Sequence, residues 1–492
     1  VLNNTAAQEA NFAIATGVQK EVGAVEAFYS RYENESSVFY GSHIGNLDDL
    51  LARFEIGRPL TTYPFSYNIE APKQKVIHHL FKAKAYYLAP FGGKFTTQYA
   101  FQKDIRQEFS LRRLDRTRIP ALNMWLTTHL VETYWESIDS PLWKTTIGGS
   151  FSHQDNYNQP GTGVVPVIPN FASISYGAFA IEKYHKGKWT GEAGIRYDYK
   201  YLNADGYDMY SQRYGGEHNF HNITYSLGGS WEASDKLSLS SNIGVAWRAP
   251  QVNELYSSGL HHGAGTYNLG DSSLHPETGV KWITALDYKN PDKGIDLSVD
   301  AYAQVIKGYI YDYPTGETRT LFSGVYPIFQ YTQADAFFRG ADLEALIRLA
   351  QWHDHSQSLS YEFRGALVFA NELKTGRYFP FIPAPRLSQS LLWKSAPRGI
   401  FQSLEASIGH TFVAKQTRFE PSQELVATTP EAYHLFEAAI GGTINIGPHQ
   451  SLGIRLSGEN LLNKLYKEYT NRFRYYAHDL GRNIYLRLNY NF

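Results

Sequence analysis

The 492-residue sequence has no cysteine, only 2 methionines and a formal net charge of −1. Without thiols there are no disulfides, thiolate metal sites or cysteine nucleophiles; an oxidising compartment is permitted but not required. Balanced charge, with no Lys/Arg block and no stacking module, gives no reason to expect nucleic acid as a partner. No apolar run approaches about 18 residues, and the mean hydropathy of −0.39 agrees, so membrane-spanning helices are excluded. Val1-Leu2-Asn3-Asn4 does not start a charged segment followed by an apolar one, so any signal peptide is expected to lie outside the chain. Neither a Gly-x-Ser-x-Gly elbow nor a His-Glu-x-x-His helix is present, and an enzyme is not expected.

What the chain has in excess is aromatic: 37 Tyr, 28 Phe and 9 Trp. Aromatic residues collect where a membrane meets water. The apolar residues also alternate. Ile484, Leu486, Leu488, Tyr490 and Phe492 share one face of an extended segment whose other face carries Arg487, Asn489 and Asn491. Ile195, Tyr197, Tyr199 and Tyr201 alternate in the same way with Arg196, Asp198 and Lys200, and Leu343, Ala345, Ile347 and Leu349 with Asp342, Glu344 and Arg348. A face this charged does not suit the dry interior of a sandwich. The reading is an all-β transmembrane antiparallel barrel with a wet lumen. Arg196, Asp198, Lys200, Asp342, Glu344, Arg348, Arg455 and Arg487 are predicted to line it, while Ile195, Tyr197, Leu343, Ile454, Leu486 and Leu488 are predicted to face lipid.

Connections alternate as well. Short ones fall near 19–23, 90–94, 136–142, 185–188, 232–236, 290–294, 351–356, 396–400 and 447–450; long polar, aromatic and Gly-rich segments fall at 33–75, 154–171, 202–222, 249–280, 305–335, 414–432 and 465–480. Short periplasmic turns against long extracellular loops describe one outer-membrane barrel domain spanning 1–492. Nine turns and a terminal strand give about 19 strands, an odd number where single-chain bacterial barrels are even. One strand or three are therefore expected before Val1, which places Val1 and Phe492 at opposite barrel ends. Within loop 33–75, Asn46 is a predicted N-cap for a short helix carrying Leu47, Leu50, Leu51 and Phe54 on one stripe.

Ser457-Gly458-Glu459-Asn460-Leu461-Leu462-Asn463-Lys464-Leu465-Tyr466, then Gly481-Arg482 and a final strand ending in Phe492, resembles the closing signature of TonB-dependent outer-membrane receptors. Trp247-Arg248-Ala249-Pro250 with Asn253-Glu254-Leu255-Tyr256, and Gly270-Asp271-Ser272-Ser273-Leu274-His275-Pro276-Glu277 after it, resemble mid-barrel motifs of the same family. Tyr331 to Leu349, with Gly340-Ala341-Asp342-Leu343-Glu344, and Ile382-Pro383-Ala384-Pro385-Arg386-Leu387 resemble strands of that family. The resemblance implies a barrel of roughly 22 strands, of which this chain would start at about the fourth, lacking the N-terminal plug. It implies active uptake of a scarce metal-containing nutrient (ferric siderophore, haem or zinc), coupled to the TonB complex through the plug. No intrinsic cofactor is expected; iron or zinc would belong to the transported ligand. The alternatives are a passive porin and, further off, an outer-membrane hydrolase.

Loop 249–280 holds the leading ligand-binding candidates: Arg248, Glu254, Tyr256, His261, His262, Tyr267 and Asp271 bring guanidinium, carboxylate, phenol and imidazole groups together in sequence. Against this stands the plain reading of a polar, Gly-rich loop. Haem receptors of the family place a His between two boxes, the second reading Asn-Pro-Asp/Asn-Leu; here it reads Asp271-Ser272-Ser273-Leu274, which weakens the haem reading. His261, His262 and His78 are the metal-ligand candidates. Of the pair His78-His79, only His78 shares a face with Lys82 and Lys84 and should look into the lumen. His218 and His221, near Asp205, Asp208 and Glu217, are weaker candidates.

Overall fold

The computed structural model describes residues 2–42, 44–90, 92–112, 116–138, 140–208, 210–261, 264–321, 323–352, 356–397 and 399–492. Its strands form one 21-stranded sheet. Two of them, Ser258–His261 and Thr266–Leu269, are a short hairpin outside the wall; the other 19 run as successive antiparallel neighbours, matching the number expected from the turns. The first wall strand is Ala7–Lys20 and the last Asn483–Asn491. Each pairs along one edge only among the described residues.

Cross-strand register carries the alternation around the wall. Tyr87 faces Phe95, Phe95 faces Trp135, Trp135 faces Ile147, Ile147 faces Ala180 and Ala180 faces Ile195, an apolar row over six strands. A few residues away Lys84, Gln98, Glu132, Ser150, Gly177 and Asp198 make the matching row on the other face. The two predicted sets fall on these opposite faces. Ile195 and Leu486 are 55% and 61% exposed on the outside. Inside, Arg196 holds Asp198 at 2.6 Å and donates to Ser150 Oγ at 2.8 Å. Gly177 lies opposite Asp198 because a Cβ there would collide with the Arg196 guanidinium and the Asp198 carboxylate. Arg455 stands beside Arg487 and pairs with Glu405.

The short connections leave from Lys20, Leu88, Glu136, Lys186, Ser234, Asn290, Trp352, Ser395 and Gly447, where the sequence placed them. The other end differs from expectation in three respects. Segments 202–222 and 305–335 are not open loops: strands Trp189–Tyr207 and Arg213–Ser234, and Ile295–Leu321 and Gly324–Trp352, continue outward as paired hairpins. Beyond the apolar band nothing demands an apolar face, so the alternation that marks a strand vanishes although the backbone pairing persists. Loops at 110–121 and 373–385 join wall strands unannounced by composition. Ile382-Pro383-Ala384-Pro385 precedes strand Arg386–Ser395 rather than belonging to one.

The hydrophobic core lies among the outer loops, since the wall turns its apolar residues outward. Helix Leu47–Ile56 is capped by Asn46, whose side chain accepts from Asp49 N at 2.8 Å, and ends at Gly57 in the left-handed region, φ 61°. Leu50 and Phe54 are buried beside Phe39, Tyr475 and Tyr476; Leu47 and Leu51 remain exposed, so only half of the predicted stripe is used. Leu2 joins this cluster, whereas Asn491 faces Ser451 beside a short turn. The described chain ends thus lie at opposite barrel ends; Val1 itself is outside the described residues.

Arg474 and Glu424, 3% and 1% exposed, form a fully enclosed ion pair between loops 460–482 and 414–432, with Tyr475 OH on Glu424 at 2.6 Å. Removing one partner of such a pair typically costs about 3–5 kcal/mol, so Glu424→Ala is expected to lower the resistance of the loop layer to denaturant while the wall stays folded. Unchanged tyrosine near-UV dichroism through a urea titration would contradict this. The wall itself can be tested because the chain has no native thiol: a bimane on Ile195→Cys should be quenched by a lipid-borne quencher, and one on Asp198→Cys only by a water-soluble one. Reversed accessibility would show the register to be wrong.

Candidate functional site

Strand Leu237–Arg248 pairs with Arg213–Ser234 only as far as Gly244 opposite Ser226. Above that, the projecting hairpin has a bare edge, and loop 249–276 folds onto it. Val252, Leu255, Tyr256 and Leu274 bury against Leu202 and Phe220. The loop opens with helix Val252–Tyr256, whose Glu254 carboxylate accepts from Gln251 N at 2.7 Å. The same carboxylate binds Arg248 Nη1 at 2.7 Å, while Glu277 on the next strand takes Arg248 Nη2 at 2.9 Å and Nε at 3.1 Å. One guanidinium between two carboxylates therefore ties strand, helix and following strand together, which commits Arg248 and Glu254 to each other.

Tyr256 shares a 2.5 Å hydrogen bond with His218 Nε2, so His218 turns inward. His221 stands opposite Tyr199 on the outer face, and Asp205 is held by Arg213 at 2.7 Å. Asp271 Oδ1 accepts from Ser273 N and Oγ at 2.9 and 2.6 Å, and Asp271 N donates to Glu254 O at 2.8 Å, closing a turn. Tyr267 is buried with Leu260, Tyr326 and Ile328, its ring 5.6 Å from the Arg319 guanidinium. These candidates brace the loop rather than converge on one point. Among the described residues no three His, Asp or Glu side chains are grouped as a metal site requires; His262 lies outside the described residues.

His261 has a different setting. The hairpin Ser258–His261 and Thr266–Leu269 reaches across the barrel mouth: Ser258 N bonds Val167 O at 2.9 Å, Gly265 lies against Ser42, and Tyr267 pairs in parallel with Ile328. His261 Nδ1 accepts from Ala264 N at 3.0 Å at the hairpin tip. Burial pushes the imidazole below its ordinary pKa; the negative charge of Glu108 acts in the opposite sense, and Arg106 adds to the lowering. Glu108 is 3% exposed, takes Arg106 Nη2 on Oε1 at 2.6 Å, and leaves Oε2 buried with no hydrogen-bond partner among the described residues.

Below Glu108 on the same inner face come Arg106, then Asp104, which stands opposite His78; His78 Nε2 lies 3.3 Å from Gln102 Oε1. The fold thus brings His261 and His78, 183 positions apart in the sequence, to one sector of the lumen, separated by Asp104, Arg106 and Glu108. Sequence reasoning missed these three. Their signal was the period-two run Gln102, Asp104, Arg106, Glu108, but nothing in the chain order tied that run to loop 249–276.

Residues 16–461 match the TonB dependent receptor-like, beta-barrel family. Similar solved structures include the copper transporter OprC, at 15% identity and a TM-score of 0.72 over 99% of this chain and 73% of that one. The FrpB iron transporter from Neisseria meningitidis, F3-3 variant, shows 13% identity and a TM-score of 0.69 over 100% and 72%. The siderophore receptor PirA from Acinetobacter baumannii shows 13% identity and a TM-score of 0.68 over 99% and 72%. At these identities the likeness establishes the fold.

If Arg248 is a brace, Arg248→Met should leave Glu254 and Glu277 facing each other uncompensated and loosen the loop. Limited proteolysis should then cut within 249–276 several times faster while heat modifiability of the barrel is unchanged. Cleavage at the native rate would mean the clamp is dispensable.

Proposed function

Because this chain belongs to the TonB-dependent receptor-like β-barrel family, we propose that it forms the wall and outer vestibule of an outer-membrane receptor for a scarce metal-containing nutrient: a ferric siderophore, haem or zinc. Receptors, not enzymes, make up this family. Among the described residues the outer edges of Ala7–Lys20 and Asn483–Asn491 have no partner strand, which supports a larger assembly, since strand edges inside hydrocarbon must be paired. In this reading, coupling to TonB would run through a plug in the lumen.

The observation that carries the metal-containing cargo is the setting of His261. A largely buried imidazole, held at a hairpin tip by one backbone hydrogen bond through Nδ1, lies within electrostatic reach of Glu108, whose second carboxylate oxygen has no hydrogen-bond partner among the described residues. Imidazole and carboxylate together suit zinc or iron, and imidazole alone can serve haem iron. Cargo entering past them would next meet Arg106, Asp104 and His78 on the wall. A passive porin fits less well, because the hairpin crosses the mouth.

The test is a titration of zinc, haem and a ferric siderophore against the full-length protein and its His261→Ala and Glu108→Gln variants. Haem or zinc affinity should fall by at least about tenfold, roughly 1.4 kcal/mol, in His261→Ala, while a siderophore that already coordinates its iron should be little affected. Equal affinities for every ligand in both variants would remove the metal role. Only neutral imidazole binds metal, and burial holds the His261 pKa below its usual value. Capture should therefore persist as pH falls through about 6.5 and fail only under more acidic conditions. A midpoint above that value would count against His261.

A further inference from the structure

The outward face of the wall carries a row of basic side chains for which the protein supplies too little negative charge. Arg31, His79 and Lys103 stand in direct cross-strand register on three successive strands. They share the face of Phe81 and Phe101, with Phe12 opposite Arg31 at one end and Thr127 opposite Lys103 at the other. Side chains so placed are about 5 Å apart, where like charges repel.

Their partners are few. Glu33 receives Arg31 but also holds Lys75 at 2.8 Å. Among the described residues no carboxylate lies within ion-pair distance of Lys103, whose ammonium rests 4.1 Å from the Trp125 ring centroid. His79 Nδ1 is engaged by Tyr29 OH at 2.8 Å, and Nε2 has no hydrogen-bond partner among the described residues.

Height along the wall matters as much as charge. Tyr87, Phe95 and Trp135 form an aromatic belt beside the short turns, and the basic row lies roughly 20 Å above it at the tilt usual for barrel strands. A second aromatic group, with Tyr29, Phe81 and Trp125, surrounds the row. Such belts mark headgroup level, so the three side chains lie where the anionic groups of the outer leaflet reside.

We propose that Arg31, His79 and Lys103 form a binding site for the phosphate of an outer-leaflet lipid headgroup. This rests on the reading of the wall as membrane-embedded. Arg31 and Lys103 supply charge, His79 Nε2 supplies a hydrogen bond, Phe81 and Phe101 lie one register step towards the short turns, on the acyl-chain side of the headgroup, and Trp125 lies one step towards the loops.

The test uses the full-length protein in phosphatidylcholine vesicles containing either bis-phosphorylated lipid A or the same lipid after phosphatase treatment, with retained lipid counted by native mass spectrometry. The wild type should retain the phosphorylated form at least about tenfold more than the dephosphorylated one, the size expected from two cations at an anionic headgroup. Arg31→Gln/His79→Gln/Lys103→Gln should abolish the preference, and Lys103→Gln alone should weaken it. Equal retention of both lipids by the wild type overturns the proposal without depending on any variant folding, as does undiminished preference in a folded triple variant. Complete displacement by millimolar inorganic phosphate would show an adventitious anion site and also overturn it. Failure of the wild type to give a heat-modifiable, vesicle-inserted barrel would instead overturn the membrane reading itself.

Discussion

Backbone hydrogen bonding between neighbouring strands is the constraint on which everything else in this molecule depends. A chain without a long apolar run can cross hydrocarbon only if each strand's N–H and C=O groups are taken up by the strands beside it. That condition places 19 wall strands in succession and leaves side chains free to follow two independent demands, apolar outside and polar inside. Gly177 illustrates how local the adjustment is: one missing Cβ lets Arg196 and Asp198 meet on the inner face without bending the strand.

Above the membrane band the constraint on side chains lapses, whereas the need for a core returns. The loop layer therefore behaves like a small water-soluble domain built on the barrel rim. Phe54 contacts Tyr475 and Tyr476, Phe379 contacts Tyr309 and Tyr311, and Arg472 joins Asp312 while lying about 5 Å from the rings of Phe329 and Phe381. Arg474 and Glu424 close the layer from within. Within this layer the strands Ser258–His261 and Thr266–Leu269 are tied to Val167 and Ile328, which places His261 at the mouth.

The division between bracing and presentation follows from this. Arg248 and Glu254 spend their polar groups on each other, on Glu277 and on backbone, Tyr256 bonds His218 and Asp271 holds Ser273, so in this structure these side chains support the loop. His261, from a loop, and Glu108, from a wall strand, lie within electrostatic reach of each other, and Glu108 Oε2 has no hydrogen-bond partner among the described residues.

By itself the sequence determined the membrane barrel, its strand number, its turn positions, the two faces of each strand and the family. All of these are encoded locally: a period of two, a Pro or Gly at a turn and a contiguous motif survive reading along the chain. The same period put His78 inward and His79 outward. Tertiary structure alone decided which strands project beyond the membrane, because pairing there needs no alternation, and which half of the Leu47–Ile56 stripe is buried, because the partners Tyr475 and Tyr476 come from the far end of the chain. It alone brought His261 within electrostatic reach of Glu108, and set Arg31 beside His79 and His79 beside Lys103. Register between strands and contacts between loops are relations among distant residues, and no local pattern carries them.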